Sequence, residues 1–288
     1  MIAASLKAVA NQKGQVMRLR SLLCGVALIG MVGEACAADL GDVLRGSTTV
    51  VAPSGGTRWD GFYFGGQVGG NWAGTDFANS TKSLVSFLLR NTTIENENHV
   101  SDWTTLGTYD TSGSSYGAFV GYQTQWDSAV IGVEMNYNRT NLAMASSDSM
   151  RRLFTTSDGY NNDVTVIGTS SMRITDYGTF RVRGGWAADC FMPYGFVGLA
   201  LGRADVTRSA RVIASGTAAG LPPYAFDQTN AVTKTGDFAY GYAAGLGLDI
   251  AVFQNMFVRG EYEYVQFGEF NDLKTHIHTA RVAAGLKF

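Results

Sequence analysis

The stretch of sequence that most constrains the fold is the last one, residues 277–288, in which apolar and polar side chains alternate. A side-chain period of two is the mark of a β-strand with one apolar face and one polar face. Such a strand needs neighbours that continue both faces, so it predicts a sheet and not a helical fold. The apolar face of this strand carries Ala280, Val282, Ala284, Leu286 and the aromatic residue Phe288.

Seven further segments have the length and composition of strands. One of them, 192–202, is apolar or glycine at both parities, so its inward face cannot be assigned from the sequence. Three long polar stretches (75–114, 140–172 and 203–237) are predicted to be loops, and shorter connections lie between them. The eight predicted strands are 59–72, 115–126, 129–139, 177–186, 192–202, 238–250, 257–267 and 277–288.

The composition favours a transmembrane barrel over a soluble protein. Charged residues make up only 16% of the chain, against roughly 25% in ordinary soluble domains. An even number of strands, joined alternately by short and long connections, is typical of outer-membrane barrels with short periplasmic turns and long outer loops. We therefore predict an all-β fold, an eight-stranded antiparallel transmembrane up-and-down β-barrel. The competing soluble fold is a lipocalin-like barrel, which would turn its apolar face inward.

The N-terminal segment has the pattern of a secretory signal peptide. Basic residues precede an apolar core at 22–32, and Ala35-Cys36-Ala37 is a small-x-small cleavage site. The predicted organisation is a signal peptide (1–37) that starts at Met1 or Met17, a periplasmic lead-in (38–57) and a barrel (58–288). Removal of the signal peptide takes away four basic residues and one acidic residue, so the mature chain is more acidic than the formal charge of −2. That balance argues against nucleic acid as a partner.

Charged residues share the polar parity of four predicted strands, which places them inside the barrel. Buried charges are too costly to remain unpaired, so Arg281 is expected to contact a carboxylate such as Glu261 or Glu263. An eight-stranded barrel is only just wide enough to be filled by its own side chains, which favours a salt-bridge plug over a charge-selective channel. The residues concerned are Glu134, Arg181, Arg183, Arg259, Glu261, Glu263 and Arg281.

Further candidate sites are weaker. His276 and His278 lie two apart on one strand face and, with Tyr or Met, could ligate haem iron. No spacing marks a catalytic triad, and Cys190 lies in a predicted turn, so we predict no enzyme activity, no catalytic or cofactor-binding residues, no metal site and no cofactor. Trp59 and Trp72 bracket the first strand and are expected to form aromatic girdles at the two membrane interfaces.

Several motifs in a fixed order carry a resemblance to a known family. They are Trp59-Asp60-Gly61-Phe62-Tyr63-Phe64-Gly65-Gly66, Ile131-Gly132-Val133-Glu134, Thr179-Phe180-Arg181-Val182-Arg183, Glu261-Tyr262-Glu263-Tyr264 and Arg281-Val282-Ala283-Ala284-Gly285-Leu286-Lys287-Phe288. With these motifs the chain is similar to the small outer-membrane β-barrel proteins of alphaproteobacteria, which are related to the OmpA transmembrane domain and to opacity-type surface proteins. The resemblance implies a surface-exposed protein of the cell outer membrane, and some members of that family bind haem or form narrow pores.

The functional prediction is a structural surface protein of the envelope, with a filled barrel and long external loops. The two competing functions are a narrow porin and a surface receptor for haem. The expected partners are outer-membrane lipids, a host or surface ligand at the loops, and the barrel assembly machinery. The last of these would recognise the strand that ends at Phe288.

Overall fold

Eight antiparallel strands form one closed ring, in which each strand pairs with the next and β8 pairs with β1. The computed structural model describes residues 57–104, 106–268 and 273–288, so the predicted signal peptide and all but the last residue of the lead-in lie outside the described residues. The predicted eight-stranded antiparallel barrel is confirmed. Its strands are β1 (Gly61–Asp76), β2 (Thr108–Trp126), β3 (Ala129–Thr155), β4 (Asn161–Trp186), β5 (Phe191–Ala218), β6 (Leu221–Phe253), β7 (Met256–Phe267) and β8 (Lys274–Lys287).

The ring closes where β8 meets β1. The two strands pair from Tyr63 opposite Lys287 up to Asp76 opposite Lys274. Beyond the last pair, the backbone N–H of Phe288 donates to the carbonyl of Phe62 at 2.8 Å. Gly61 has a φ of +122°, and a Cβ there would overlap the carbonyl oxygen of Phe288, so only glycine fits this junction. Closure pairs the backbone groups that an open sheet edge would leave unsatisfied in hydrocarbon.

The outer face of the ring is apolar, which decides between the membrane barrel and the lipocalin-like barrel. Val197 and Leu199 of β5 are 66% and 71% exposed, and Phe180 of β4 is 50% exposed. Large apolar side chains cover this face on every strand, whereas the buried charged side chains of β3, β4, β6, β7 and β8 point inward. A soluble barrel has the opposite arrangement, so this surface fits lipid.

Four strands are far longer than the sequence pattern indicates. The stretches 140–172 and 203–237, for which the pattern predicts loops, form tall hairpins that continue β3 with β4 and β5 with β6. The turns at their outer ends are short, at 156–160 and 219–220. The prediction of loops there is wrong, because period two is interrupted inside β4 and β6 and because the outer faces of all four strands are polar, as in a loop.

β-bulges cause the interruption. The register of β3 against β4 shifts between Arg139 and Leu142, and that of β4 against β5 shifts between Ile174 and Asp176. In β4 the buried parity changes there from even to odd, since Ile174 and then Tyr177 are buried. A bulge inserts a residue and turns the following side chains to the other face. The register of β5 against β6 shifts in the same region, between Ala204 and Val206. We use the name "outer extension" for the parts of β3, β4, β5 and β6 beyond these bulges.

The first polar stretch, 75–114, differs from the other two. Its ends belong to β1 and β2, and between them lie two short helices, α1 (Lys82–Leu88) and α2 (Thr93–Asn98), followed by a 3₁₀ turn (Val100–Asp102). In the described part of the chain, no helix is both long enough and apolar enough to span a membrane.

Trp59 lies in a different place from the one predicted. It is only 1% exposed and packs inside the periplasmic end of the barrel, with its ring centroid 6.3 Å from that of Phe257. Its backbone N–H donates to Gln125 Oε1 at 2.7 Å, and its carbonyl accepts from the Gln123 amide. The prediction of an interface girdle is therefore wrong for Trp59, because the chain folds into the barrel mouth just before β1. Trp72 faces outward as predicted and is 47% exposed.

The two tryptophans give a matched test of this packing. We expect Trp59→Ala to lower the free energy of unfolding by about 3–5 kcal/mol, because a fully buried ring is lost from a packed cluster. Trp72→Ala should cost less, since the Trp72 ring contacts lipid or detergent. Urea unfolding in detergent, followed by the gel shift between the folded and heat-denatured forms, measures both variants. Equal losses would contradict the buried position of Trp59.

Candidate functional site

The middle of the barrel holds four arginines and four carboxylates, so their formal charges cancel. Each of the eight is at most 6% exposed. All seven charged residues that the sequence placed inside are here, and the structure adds Asp249. They come from five strands: Glu134 from β3, Arg181 and Arg183 from β4, Asp249 from β6, Arg259, Glu261 and Glu263 from β7, and Arg281 from β8.

Glu134 is the centre of one half of this network. It accepts hydrogen bonds from Arg181 Nε at 3.0 Å, Arg183 Nη1 at 3.1 Å and Arg259 Nη1 at 2.9 Å. The Tyr63 hydroxyl donates to the same carboxylate at 2.8 Å. Each of these charge-assisted bonds offsets part of the desolvation cost of burying the Glu134 carboxylate.

The other half is built on Glu261 and Glu263. Arg281 Nε donates to Glu261 at 2.7 Å, and Arg281 Nη2 lies 2.7 Å from Glu263 Oε2. The latter contact is ionic and lies off hydrogen-bond geometry, which leaves Glu263 Oε2 without a hydrogen-bond donor. Arg181 Nη1 joins the halves through Glu261 at 2.7 Å. The predicted pairing of Arg281 with Glu261 or Glu263 is confirmed for both residues.

Asp249, Tyr63 and Tyr194 belong to the network although the sequence did not assign them to it. Asp249 accepts from Arg259 Nε at 2.7 Å and from Arg183 Nη2 at 2.6 Å. The Arg183 guanidinium also lies 3.8 Å from the ring centroid of Tyr194, whose hydroxyl donates to Glu261. Asp249 has the inward parity of β6, so its position was readable. The inward position of Tyr194 could not be read from the sequence, since both parities of the segment 192–202 are apolar or glycine.

Layers of side chains close the lumen on both sides of the charges. Toward the periplasm lie Trp59, Tyr63, Phe119, Met192 and Phe257. Toward the outside, Gln67 donates to Asn136 at 2.7 Å within a neutral polar layer. Above that layer comes an apolar cluster that includes Phe77, Leu106, Leu142, Ile174 and Phe267. These layers leave the charged groups without contact with bulk water.

The segment with α1 and α2 fills the inside of the outer extension. Leu84, Val85 and Leu89 of this segment pack against a wall of small apolar residues on β4 and β5, including Val164 and Val212. These helices are too short to be stable alone, so the apolar wall holds them. The segment therefore forms an outer plug, a name used below for residues 82–103.

Polar contacts fix the tip of the outer plug to the β3–β4 turn. Thr92 caps α2 by accepting from the backbone N–H of Glu95 at 3.3 Å. Thr156 donates to the Asp158 carboxylate at 2.5 Å, and Thr93 of the plug donates to it at 2.7 Å. The Thr156 hydroxyl, and after it the Thr93 hydroxyl, hold the pKa of Asp158 below its usual value. These bonds connect the plug to the strands that surround it.

The histidines that raised the haem hypothesis lie on the outward face of β8, away from the lumen. Their rings are 5.5 Å apart between centroids, and the Tyr262 hydroxyl is 2.6 Å from His278 Nδ1. The Tyr264 ring lies 4.9 Å from that of His278. Tyrosines therefore pack against these imidazoles, and within the described ranges no cluster of three or more His, Cys, Asp or Glu side chains could hold a metal ion.

Comparison with known families agrees with this architecture. The sequence model of the outer membrane protein beta-barrel domain matches residues 46–288, which include the whole described ring. The chain belongs to this family. Membership places it in the outer membrane of a Gram-negative cell, as the sequence predicted. No curated protein matches the sequence.

Solved structures of other small outer-membrane proteins are also similar. Ail, the attachment invasion locus protein of Yersinia pestis, is 13% identical, with 80% of this chain and 99% of that chain covered and a TM-score of 0.29. Neisserial surface protein A is 16% identical, with 79% and 97% covered and a TM-score of 0.30. The N-terminal β-barrel domain of Pseudomonas aeruginosa OprF is 12% identical, with 77% and 97% covered and a TM-score of 0.26.

The charged network predicts a large and specific stability effect. We expect Arg181→Ala to lower the free energy of unfolding by about 3–5 kcal/mol, because Glu134 and Glu261 would each lose a buried partner. Arg151→Ala is the control, since Arg151 forms an exposed pair with Asp163 and its loss should leave stability close to that of the wild type. Urea titrations in detergent at constant pH measure both, and an Arg181→Ala barrel as stable as the control would contradict the network.

Proposed function

We propose that this protein is a closed structural barrel of the outer membrane that displays its outer extension and plug at the cell surface. The single observation that carries the proposal is the charge-balanced network, with four guanidinium groups and four carboxylates buried together across the lumen. In a conducting pore, charged side chains line an open, water-filled path. Here each arginine contacts at least one carboxylate. The network therefore fills the lumen, and its charges cancel one another.

The outer plug supports the same conclusion independently. It lies on the inner wall of the outer extension, beyond the apolar cluster and the network. A solute would have to displace the plug, the apolar cluster, the network and the aromatic layer around Trp59 in turn. The narrow porin is therefore the less favoured function.

A haem receptor and an enzyme have less support than the porin. The haem hypothesis depended on His276 and His278, whose rings are packed among Tyr262 and Tyr264 on the outward face. We propose no catalytic step, since no spacing in the sequence marks a catalytic triad. A host or surface ligand would meet the outer extension and the tip of the plug, which are the parts farthest from the membrane.

A planar bilayer experiment tests closure. We expect the purified, refolded protein to give no stable openings in molar KCl, because the charged network has no continuous water path. A variant in which a glycine–serine linker replaces residues 82–103 should be silent as well, since the network alone is expected to block ions. A general porin in the same bilayers is the positive control. Stable openings of the wild-type protein would overturn the proposal in favour of a porin.

The strand that ends at Phe288 is the second part of the proposal. We propose that β8, with Phe288 at its end, is the segment that the barrel assembly machinery recognises. The Phe288 ring stacks on Phe64 of β1 at 5.7 Å with an interplanar angle of 15°, so it lies at the seam that closes last if β1 and β8 pair at the end of assembly. An exposed aromatic on the lipid face at the seam is available to a partner before closure.

Deletion of Phe288 tests this assignment. We expect the deletion to reduce the fraction of folded, heat-modifiable protein in outer-membrane preparations several-fold, and Phe288→Tyr to restore it, because tyrosine keeps the aromatic ring. Refolding of the same deletion variant into detergent micelles separates recognition from stability. Normal assembly of the deletion variant in cells would contradict the assignment, and a matching defect in micelles would assign the loss to the seam instead.

A further inference from the structure

Three arginines lie on the outward face at the level of the β-bulges, where the barrel becomes the outer extension. Arg139 of β3 and Arg203 of β5 both stand opposite Asp176 of β4, so these three residues share one rung of the sheet. Arg173 of β4 lies on a neighbouring rung, opposite Asp205 of β5. We call this set the boundary patch: Arg139, Arg173, Asp176, Arg203 and Asp205.

The boundary patch lies directly above lipid-facing side chains. Tyr137 lies two residues before Arg139 on β3 and is 51% exposed. Leu201 lies two residues before Arg203 on β5 and is 43% exposed. Tyr240 of β6 stands opposite Leu201 and is 72% exposed. The arginines therefore begin where the apolar band ends, at the depth of the headgroups of the outer leaflet.

The arginines of the boundary patch are not neutralised by their own neighbours. Within the described ranges, none of the three guanidinium groups lies within 4.0 Å of a carboxylate oxygen. Farther from the membrane on the same face, the arrangement is different. Arg151 Nε donates to Asp163 and Arg211 Nε donates to Asp227, each at 2.8 Å.

The two aspartates of the patch are bound to neutral donors. Asp176 accepts from the Thr175 hydroxyl at 2.8 Å, and Asp205 accepts from the backbone N–H of Gly236 at 2.7 Å. Arg173 Nε donates to the neutral Asn141 side chain at 2.9 Å. Three guanidinium groups and two carboxylates leave the patch with a formal charge of +1, and its cationic groups keep donors available for an anion.

We propose that the boundary patch binds the phosphate groups of phosphorylated glycolipids in the outer leaflet of the membrane. A guanidinium donates two parallel hydrogen bonds to phosphate, and basic residues at a membrane surface attract anionic headgroups. The apolar band below the patch would contact the acyl chains of the same lipid. A lipid satisfies both features of this surface, whereas a free anion satisfies only one. Such binding does not depend on whether the lumen conducts.

Two double variants test the proposal with matched charge. R139Q/R203Q removes two positive charges from the patch, and R151Q/R211Q removes two from the paired sites higher on the same face. The probe is diphosphorylated lipid A, titrated into folded protein in a non-ionic detergent, with native mass spectrometry reporting the bound fraction. We expect R139Q/R203Q to bind about 30-fold more weakly than the wild type, and R151Q/R211Q to bind like the wild type.

Two further arms identify the source of the phosphate. Fully dephosphorylated lipid A should bind the wild type as weakly as lipid A binds R139Q/R203Q. Inorganic phosphate in large excess should displace little lipid A, because it cannot replace the contacts of the acyl chains with the apolar band. Equal weakening in the two double variants, or equal binding of both lipid forms to the wild type, would overturn the proposal. Full displacement by inorganic phosphate would replace it with a simple anion site. Heat-modifiable migration confirms that each variant is folded before titration.

Discussion

The pairing of β8 with β1 is the constraint on which the rest of the structure depends. In hydrocarbon, an unpaired backbone N–H or C=O has no water to bind, so a sheet that crosses a membrane must close on itself. With eight strands, closure leaves a lumen about as wide as the side chains that fill it. Charged side chains must therefore pack together inside the lumen, and apolar side chains form the outer surface that contacts lipid.

The charged lumen follows from that narrowness. Side chains of the inward parity are confined to the lumen, so the charged groups among them must pair with charged groups on other strands of the barrel. Glu134 contacts arginines of both β4 and β7, and Arg181 contacts carboxylates of both β3 and β7. The contacts therefore cross the lumen and join opposite walls. Such a network costs desolvation and is strongly destabilised when one partner is removed. Its gain is a unique register, because a slip of one residue would turn these charges toward lipid.

The outer extension is a second structure built on the same strands. Beyond the bulges the outer face no longer meets lipid, and serine, threonine and paired charges replace the apolar residues. The inner face continues to bury apolar groups, and the outer plug supplies the partner that β4, β5 and β6 would otherwise lack. The boundary patch marks the transition between these environments. Its arginines contact no carboxylate of the residues that the structure describes, which distinguishes that level from the paired Arg151 and Arg211 above it.

The sequence by itself determined the eight strands, the inward and outward faces of seven of them and most of the charged lumen, because period two is a local property that membrane burial makes strict. It also indicated the partners of Arg281. Only the tertiary structure decided the length of the strands, the burial of Trp59, the role of Tyr194 and the position of the outer plug. A bulge broke the alternation in the long strands, and glycine and apolar residues filled both parities of the segment 192–202. Trp59 and the polar plug segment found their partners on strands distant in sequence.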